Sequence, residues 1–369
     1  MSVQYGGDKI TFADGSIVAS GWSGFKNRII NGDMRIDQRN AGASVTPTNG
    51  QFTVDRWVSS LTQASKFSVQ QNAGGVTPPT GFVNYLGVTS LSSYSVISSD
   101  YFMVTHRIEG NNIADLGWGT ANAATVTLSL WVRSSLTGTF GGSVQNNGNA
   151  RSYPFTYTIN SANTWEQKTL TIAGDTTGTW ATDTSTGIQI RFGLGTGSTY
   201  SGTAGAWAGS NYFSATGSTS VVGTNGATFY ITGVQLEKGS TATSFDYRPY
   251  GTELALCQRY YYKMQADASG YLFGTGFNAS TTITRAYIPL PVNFRTNTTA
   301  LEQSGTASDY QVFHGASTQT ACSGVPVFSM GTLNSTAVNF TVASGLTAGQ
   351  GAFIRSNSAN GYLAFSAEL

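Results

Sequence analysis

Alternation of apolar and polar residues with a period of two dominates the chain from residue 29 onward. In the segment TVTLSLWVR (125–133) the alternating apolar positions are Val126, Leu128, Leu130 and Val132. Successive side chains of a strand point to opposite faces of a sheet, so the segment predicts a strand with one fully apolar face. Similar patterns predict strands at 29–36, 52–59, 67–70, 85–89, 101–108, 126–133, 153–158, 166–172, 187–192 and 229–236.

A second group of alternating segments follows residue 254. TRAYIPLPV, AVNFTVASG, AFIRSNS and the terminal GYLAFSAEL predict a smaller antiparallel β-sandwich. Pro289 and Pro291 restrict one of its strands to an edge or a terminus, because proline has no N–H for the ladder. Between the two groups, residues 252–263 carry apolar residues at mixed three- and four-residue spacings, which predicts a short helix after Thr252 and Glu253.

These patterns predict an all-β protein with three parts. Residues 29–248 form a jelly roll or β-sandwich, and residues 249–369 form a second, smaller β-sandwich that begins with the short helix. Residues 1–28 are too few to bury a core alone. Within them, KITFADGSIVAS predicts two short strands around the turn dipeptide Asp14-Gly15, and we expect this segment to pack on other chains or on its own domain.

Composition agrees with this class and excludes others. Only 10% of residues are charged, 12% are aromatic and 45 are glycine, whereas disordered chains are charged and poor in aromatics. The net charge is +1 and no cluster of lysine and arginine occurs, so nucleic acid is not expected as a partner. No apolar run is long enough for a membrane span and no signal-peptide core is present, so we expect synthesis in the cytoplasm.

Residues that could perform catalysis or bind metal are few. Neither His106 nor His314 has cysteine or carboxylate at metal-ligand spacing, and His106 lies in a strand pattern typical of a structural histidine. We therefore expect no metal, no cofactor and no enzymatic activity. The candidate acidic pairs are Asp33 with Asp37, Glu109 with Asp115, and Asp175 with Asp183, and none lies in a catalytic motif.

Two further groups have both a structural and a functional interpretation. Cys257 and Cys322 are predicted to be buried free thiols, although the sequence leaves a bond between them open. In the cluster Asp55-Arg56-Trp57 we favour a structural role, with Asp55 holding the 31–35 segment and Trp57 filling the core. The alternative places Trp57 on a sugar-stacking surface.

Two long segments carry a family resemblance. NRIINGDMRIDQRNAG…FTVDRW and FYITGVQLEKGSTATSFDYRP…ELALCQRYYYK resemble tail-fibre or appendage proteins of tailed phages and prophages. The resemblance implies a virion protein, assembled in the host cytoplasm, whose residues 1–28 attach to other virion proteins. Fibres of this kind are generally three-fold, so it also implies a homotrimer.

The first sandwich also resembles carbohydrate-binding modules of the jelly-roll type. The order of its segments, TLSLWVRS, TWEQKTLTI, IQIRFGL and FYITGVQLE, is similar to theirs. Such modules often have aspartate where Thr232-Gly233 stand here, which leaves their structural calcium site open for this chain.

A charge-free stretch provides the candidate ligand surface. No charged residue occurs between Arg191 and Glu237, and the Gly/Ser/Thr-rich region 193–226 contains embedded aromatic residues. Flat rings surrounded by neutral donors and acceptors suit sugars, whereas the alternative is that the rings pack on the sandwich or on a neighbouring subunit. The candidate glycan-binding residues are Tyr200, Trp207, Tyr212 and Phe213.

The sequence therefore predicts a phage receptor-binding protein that adheres to a host cell-surface polysaccharide. A purely structural virion part, such as a head fibre, capsid decoration or tail adaptor, is the alternative. A glycan depolymerase is the third possibility, and it requires two carboxylates that meet in a cleft.

Overall fold

The computed structural model describes residues 25–369 and, before them, the backbone of three short strands. These are β1 (Gln4–Gly6), β2 (Lys9–Thr11) and β3 (Ile17–Ala19), paired antiparallel in that order. The two strands predicted in KITFADGSIVAS are thereby confirmed. The Asp14-Gly15 turn lies outside the described residues, as do the side chains on which attachment by this segment depends.

Two antiparallel sheets form the first sandwich. Their strands are β4 (Gln51–Phe52), β5 (Trp57–Leu61), β6 (Phe67–Gln71), β7 (Leu86–Ser90), β8 (Tyr101–Glu109), β9 (Val126–Ser134), β10 (Gly138–Asn146), β11 (Ser152–Ile159), β12 (Glu166–Ile172), β13 (Thr186–Thr196) and β16 (Thr228–Lys238). One sheet has the order β11-β10-β13-β8-β5-β4 and the other β12-β9-β16-β7-β6. A parallel pair, β14 (Ser201–Gly202) and β15 (Ser214–Ala215), lies in the connection between β13 and β16.

The apolar faces of these sheets enclose one core. The four alternating residues of β9 are fully buried in it, together with Trp57, whose indole N–H donates to the Asn31 carbonyl at 3.1 Å. The edge of the His106 imidazole contacts the Trp57 ring at a centroid distance of 5.2 Å. Its Nε2 lies 2.9 Å from the Ile30 carbonyl oxygen, which confirms the structural interpretation of this histidine.

A three-stranded and a seven-stranded sheet form the second sandwich. The strands are β17 (Tyr261–Gln265), β18 (Leu272–Asn278), β19 (Ile283–Pro289), β20 (Glu302–Gln303), β21 (Tyr310–His314), β22 (Thr318–Ala321), β23 (Val327–Gly331), β24 (Ser335–Thr341), β25 (Gly351–Ser356) and β26 (Tyr362–Ser366). Their orders are β17-β26-β20 and β22-β21-β25-β18-β19-β24-β23. A separate core with residues from 266 to 367 lies between these sheets. With 41% strand and 7% helix, the predicted all-β, β-sandwich class is confirmed.

A short helix, α1 (Tyr250–Gln258), precedes the second sandwich. Together with the turn after it, α1 packs on the first sandwich through Cys257 and Tyr260, which contact Ile30 and Ile36. The helix was predicted at 252–263, but Tyr261 already begins β17, so the second half of the prediction is wrong. The boundary predicted between residues 248 and 249 stays a prediction.

Two strand predictions in the first sandwich need correction, and one strand was missed. Residues 29–36 are a buried irregular segment, in which the Asn31 side chain donates to the carbonyls of Ile36 and Asp55. The predicted strand 52–59 is interrupted by a turn, where Arg56 has a φ of 71°. Strand β10 was not predicted, because its sequence GTFGGSVQN does not alternate between apolar and polar residues. Both faces of the strand are covered, and seven of its nine residues are buried.

Candidate functional site

The charge-free stretch folds back onto the first sandwich. Phe213 stacks on Tyr200 with ring centroids 4.8 Å apart, and the edge of Tyr101 meets both rings. The Arg191 guanidinium lies 4.3 Å from the centroid of the Phe213 ring. Phe213 is therefore enclosed, with 6% of its surface exposed, and it does not offer the free stacking face that the sequence predicted.

Trp207 lies in a different cluster. Its ring packs edge-on against Trp118, Trp180 and Tyr153 at centroid distances of 5.3 to 5.5 Å. Its indole N–H donates to the Ala173 carbonyl at 2.8 Å. The structure thus separates Trp207 from the Tyr200–Phe213 pair, and it uses the polar group of Trp207 to anchor the loop.

Tyr212, the fourth predicted residue, is half-buried. Its ring lies so close to Gly202 that a Cβ atom there would be 2.3 Å from the Tyr212 Cδ2. Its carbonyl accepts a hydrogen bond from the Gln145 side chain at 2.8 Å. The nearest pocket to this stretch, about 220 Å³, is lined by Tyr153, Phe155, Thr156, Leu170, Thr171, Ile172, Ala204 and Gly205 and contains none of the four predicted residues.

A larger opening lies between the two sandwiches. This cleft, called the interface cleft below, has a volume of about 440 Å³ and is lined by Arg39, Asn40, Gly50, Gln51, Phe52, Tyr261, Lys263, Glu302, Tyr362 and Ser366. Ligand sites commonly have volumes of about 300–1,000 Å³ and often lie between domains. Its lining combines three aromatic rings with neutral and charged polar groups.

The floor of the interface cleft is one face of the sheet β17-β26-β20. Tyr261 is paired with Ser366 and Gln265 with Tyr362, so these side chains share a face. Lys263 and Glu302 are both paired with Ala364, which places them on the same face. The opposite face carries Leu363 and Phe365 into the second core. Successive residues of YYKMQ and YLAFS point to opposite faces of this sheet. Alternate residues of each segment therefore form the floor of the interface cleft.

The wall of the interface cleft comes from residues 39–52 of the first sandwich. The Arg39 guanidinium lies 3.5 Å from the Tyr261 ring centroid and 5.3 Å from that of Phe52. Arg39 also donates to Glu368 Oε1 at 3.1 Å. These contacts fix Arg39, and Arg39 in turn holds the wall against the floor.

Several polar atoms in the interface cleft are open to a ligand. Within residues 25–369, no hydrogen bond occupies Asn40 Oδ1, Gln51 Nε2 or Ser366 Oγ. Lys263 Nζ donates to the Arg39 carbonyl at 3.1 Å and lies 4.5 Å from the centroid of the Tyr362 ring. A polyhydroxylated ligand needs this combination of ring faces with unpaired donors and acceptors.

The carboxylates considered for catalysis are used by the fold. Glu109 accepts from Arg259 and Tyr260, Asp115 from Arg28, and Asp175 from Arg151. Asp33 is bound by Arg35, while Asp37 and Asp183 accept backbone N–H groups. The arginine partners and hydrogen bonds outweigh burial at Glu109, Asp115 and Asp175, and they hold the pKa of each carboxyl below its ordinary value.

The Asp55-Arg56-Trp57 cluster has the structural role that the sequence analysis favoured. The contacts of Asp55 differ from the predicted ones. The Asp55 carboxylate accepts the backbone N–H and the side-chain amide of Gln38, whereas Asn31 is held by the Asp55 carbonyl. Trp57 is fully buried. Cys257 and Cys322 are buried free thiols, which confirms that prediction.

The described part of the chain provides neither a cluster of metal ligands nor a membrane-spanning helix. No three histidine, cysteine, aspartate or glutamate side chains converge there as metal ligands would. At the position where the resembling modules often have aspartate, the Thr232 hydroxyl donates to the Asn84 carbonyl at 2.7 Å. None of the described helices is both long and apolar enough to cross a membrane.

Comparison with known proteins gives loose structural likenesses. No protein-family model and no curated protein sequence matches the chain. The enzymatically active domain of bacteriophage CBA120 tailspike protein 4 is similar over 57% of this chain but only 23% of its own length, with 14% identity and a TM-score of 0.31. A family 4 carbohydrate-binding module matches 57% of this chain and 99% of its own (14% identity, TM-score 0.29).

A family 11 carbohydrate-binding module from Clostridium thermocellum, solved with a β-1,3-1,4-mixed-linked tetrasaccharide, has 11% identity and a TM-score of 0.27. It covers 55% of this chain and 98% of its own. At such values the likenesses assign no ligand to this chain.

Proposed function

We propose that this protein is a receptor-binding protein of a phage virion, a tail fibre or similar appendage, that adheres to a host cell-surface polysaccharide through the interface cleft. The observation that carries the proposal is the lining of that cleft. Phe52 and Tyr362 are half-buried rings beside unpaired polar atoms of Asn40, Gln51 and Ser366. Rings stack on the CH faces of sugars, while neutral amides and hydroxyls bind sugar hydroxyls at low desolvation cost.

In this proposal the glycan site lies at the join of the two sandwiches and not in the stretch that the sequence predicted. Trp207 and Phe213 are occupied by packing, whereas Tyr362 lines the open cleft, with Lys263 Nζ over its ring. Binding without catalysis is part of the proposal, supported by the arginine and backbone partners of the candidate carboxylates.

Assembly completes the proposal. We propose a homotrimer whose residues 1–28 contact other virion proteins, because that segment is too short to fold alone. Three copies would raise a weak single-site affinity by orders of magnitude through multivalence. Light scattering at micromolar concentration tests this step, and a stable monomer would contradict it.

Binding of purified protein to extracted surface polysaccharide of susceptible cells tests the glycan function. We expect Tyr362→Ala to reduce binding at least tenfold with an unchanged melting temperature. Tyr287→Ala is the matched control, since Tyr287 is 50% exposed on β19 and lies outside the cleft. Equal loss in both variants, or none in either, would exclude the cleft as the site.

One observation favours the structural alternative. All four aromatic residues predicted for sugar stacking are at least partly buried, and three of them pack against other rings. A virion part without a ligand would look the same in that region. Absence of binding to any extracted polysaccharide, with the protein still assembled on particles, would establish that alternative. Release of new reducing ends from a bound polysaccharide would instead establish a depolymerase.

A further inference from the structure

The three charged side chains that line the interface cleft differ in what neutralises them. Arg39 is paired with Glu368 and lies 3.9 Å from Glu302. Glu302 accepts from the Tyr261 hydroxyl at 3.1 Å. Lys263 has no carboxylate oxygen within 4.0 Å among residues 25–369, so it is the one lining cation that forms no ion pair with a described carboxylate.

Lys263 is also partly removed from water. Desolvation by burial is the largest influence on it and lowers the pKa of its amine from the ordinary value, while Asp37 and Glu302 act in the opposite direction. Among residues 25–369, one of its three donors is used, by the Arg39 carbonyl. An ammonium in such a position gains more from a bound anion than a fully hydrated lysine does, because part of its desolvation has already occurred.

The position of Lys263 on the floor defines where an anion would lie. Its Nζ lies over the Tyr362 ring, so an anionic group that it binds is held beside a stacking surface. Asn40, Gln51 and Ser366 line the same opening. A sugar ring that stacks on Tyr362 would therefore direct a substituent toward Lys263 and its hydroxyls toward these neutral groups.

We infer that the interface cleft selects saccharides that carry a carboxylate, such as uronic or sialic acids, with the carboxylate accepting from Lys263 Nζ and the sugar ring on Tyr362. This inference rests on the proposed glycan-binding function. A single negative charge matches the single lining ammonium that forms no ion pair. A doubly charged phosphate fits less well, since the half-exposed carboxylate of Glu302 shares the floor with Lys263 and would repel it.

A paired-ligand array tests the inference. Oligosaccharides containing uronic acids and N-acetylneuraminic acid are printed as free acids and as methyl esters, together with phosphorylated sugars. The wild-type protein is expected to bind at least one free acid about tenfold more tightly than its ester, a preference that 1 M salt weakens. Lys263→Gln should bind acid and ester equally, and Lys263→Arg should restore the preference.

Lys66→Gln is the matched control. Lys66 Nζ also lies over an aromatic ring, 4.7 Å from the Tyr94 centroid, but Lys66 does not line the interface cleft. Its replacement should leave the acid preference unchanged. A preference that survives in Lys263→Gln, or that Lys66→Gln removes as well, would overturn the assignment to Lys263.

The outcomes separate the inference from the function on which it rests. If no acid is preferred over its ester, or a phosphorylated sugar is preferred, the inference is wrong. Binding of esters or neutral sugars that Tyr362→Ala abolishes would then leave glycan binding in the cleft intact. If Tyr362→Ala changes binding to no saccharide, both the inference and the proposed site are wrong.

Discussion

Arg56 in the first sandwich and Glu368 after the last strand of the second form an ion pair that is almost completely buried. Their side chains are 1% and 6% exposed, and they lie 312 residues apart in the sequence. The Arg56 guanidinium also lies 3.5 Å from the Tyr260 ring centroid, and Glu368 accepts from Arg39. A single carboxylate thus balances two arginines where the sandwiches meet.

Removal of that carboxylate should destabilise the whole chain. We expect Glu368→Gln to lower the free energy of unfolding by about 3–5 kcal/mol, because it leaves the buried Arg56 guanidinium without an anion. Urea denaturation followed by fluorescence measures it. Asp115→Asn is the control, since Asp115 is 47% exposed in its pair with Arg28 and should cost less than about 1 kcal/mol. Equal costs in the two variants would show that the buried pair is not a main contributor.

Stability should decline as the pH rises toward neutrality because of Asp55. Burial is the main cause that raises the pKa of this carboxyl from 3.8 to about 7. The folded state therefore holds the proton more tightly than the unfolded state, so the stabilisation is complete below about pH 4 and is lost as the pH rises to about 7. The slope contributed by one group is at most about 1.4 kcal/mol per pH unit.

His106 acts in the opposite direction, which determines how Asp55 must be measured. Burial lowers the pKa of His106 well below 6.5, so its contribution to stability is complete above about pH 6.5 and is lost progressively as the pH falls below that value. The difference in unfolding free energy between wild type and Asp55→Asn cancels that contribution. We expect the unfolding free energy of the wild type, relative to that of Asp55→Asn, to fall steadily from pH 5 to 7 and to level off above pH 8. A constant difference would contradict a raised Asp55 pKa.

Trp207→Ala tests whether the charge-free loop is scaffold. If Trp207 were a glycan-binding residue, as the sequence predicts, its removal would weaken attachment and leave the melting temperature unchanged. Because the ring contacts two tryptophans and a tyrosine, we now expect a loss of up to about 3 kcal/mol, below the roughly 3–5 kcal/mol for the fully buried Trp57→Ala. Thermal unfolding and polysaccharide binding per folded molecule are the two readouts. An unchanged melting temperature with lost binding would return the site to this loop.

Both thiols should be unreactive in the native protein. Cys257 is fully buried and Cys322 is 5% exposed, and burial raises the pKa of the Cys322 thiol to about 12. Thiolate formation and access are both needed for reaction with a disulfide reagent. We expect no labelling in buffer and two labelled thiols per chain in 6 M guanidinium chloride. Rapid labelling of Cys257 in buffer would mean that α1 separates from the first sandwich.

Sequence patterns were sufficient to predict a strand where one of its faces is buried and the other is exposed. Strand β12 was predicted with its observed bounds, because its burial alternates along Glu166–Ile172. Strand β10 is buried on both faces, so its sequence shows no alternation of apolar and polar residues. Residues 29–36 are apolar enough for a strand, but the Asn31 side chain supplies the hydrogen bonds that a neighbouring strand would otherwise make.

The interface cleft could not be predicted, because its residues come from four separate parts of the sequence. Tyr260, Tyr261 and Tyr262 illustrate the difficulty. The first packs with α1 on the first sandwich, the second lies at the cleft and the third packs on the second core. Helical spacing explained the first residue only, and the alternation of the following residues was the signal that a strand begins at Tyr261.

The passage from α1 to β17 has a mechanical consequence. Only two residues, Arg259 and Tyr260, separate the helix from the strand, and Arg259 is held by Glu109 of the first sandwich at 2.6 Å. The connection is therefore too short to extend under tension before the packing between the two sandwiches is disturbed. The interface cleft takes its wall from one sandwich and its floor from the other. A force that changed the relative orientation of the sandwiches would therefore change the shape of the cleft. In the proposed role, a stiff join would keep the geometry of the interface cleft constant under load.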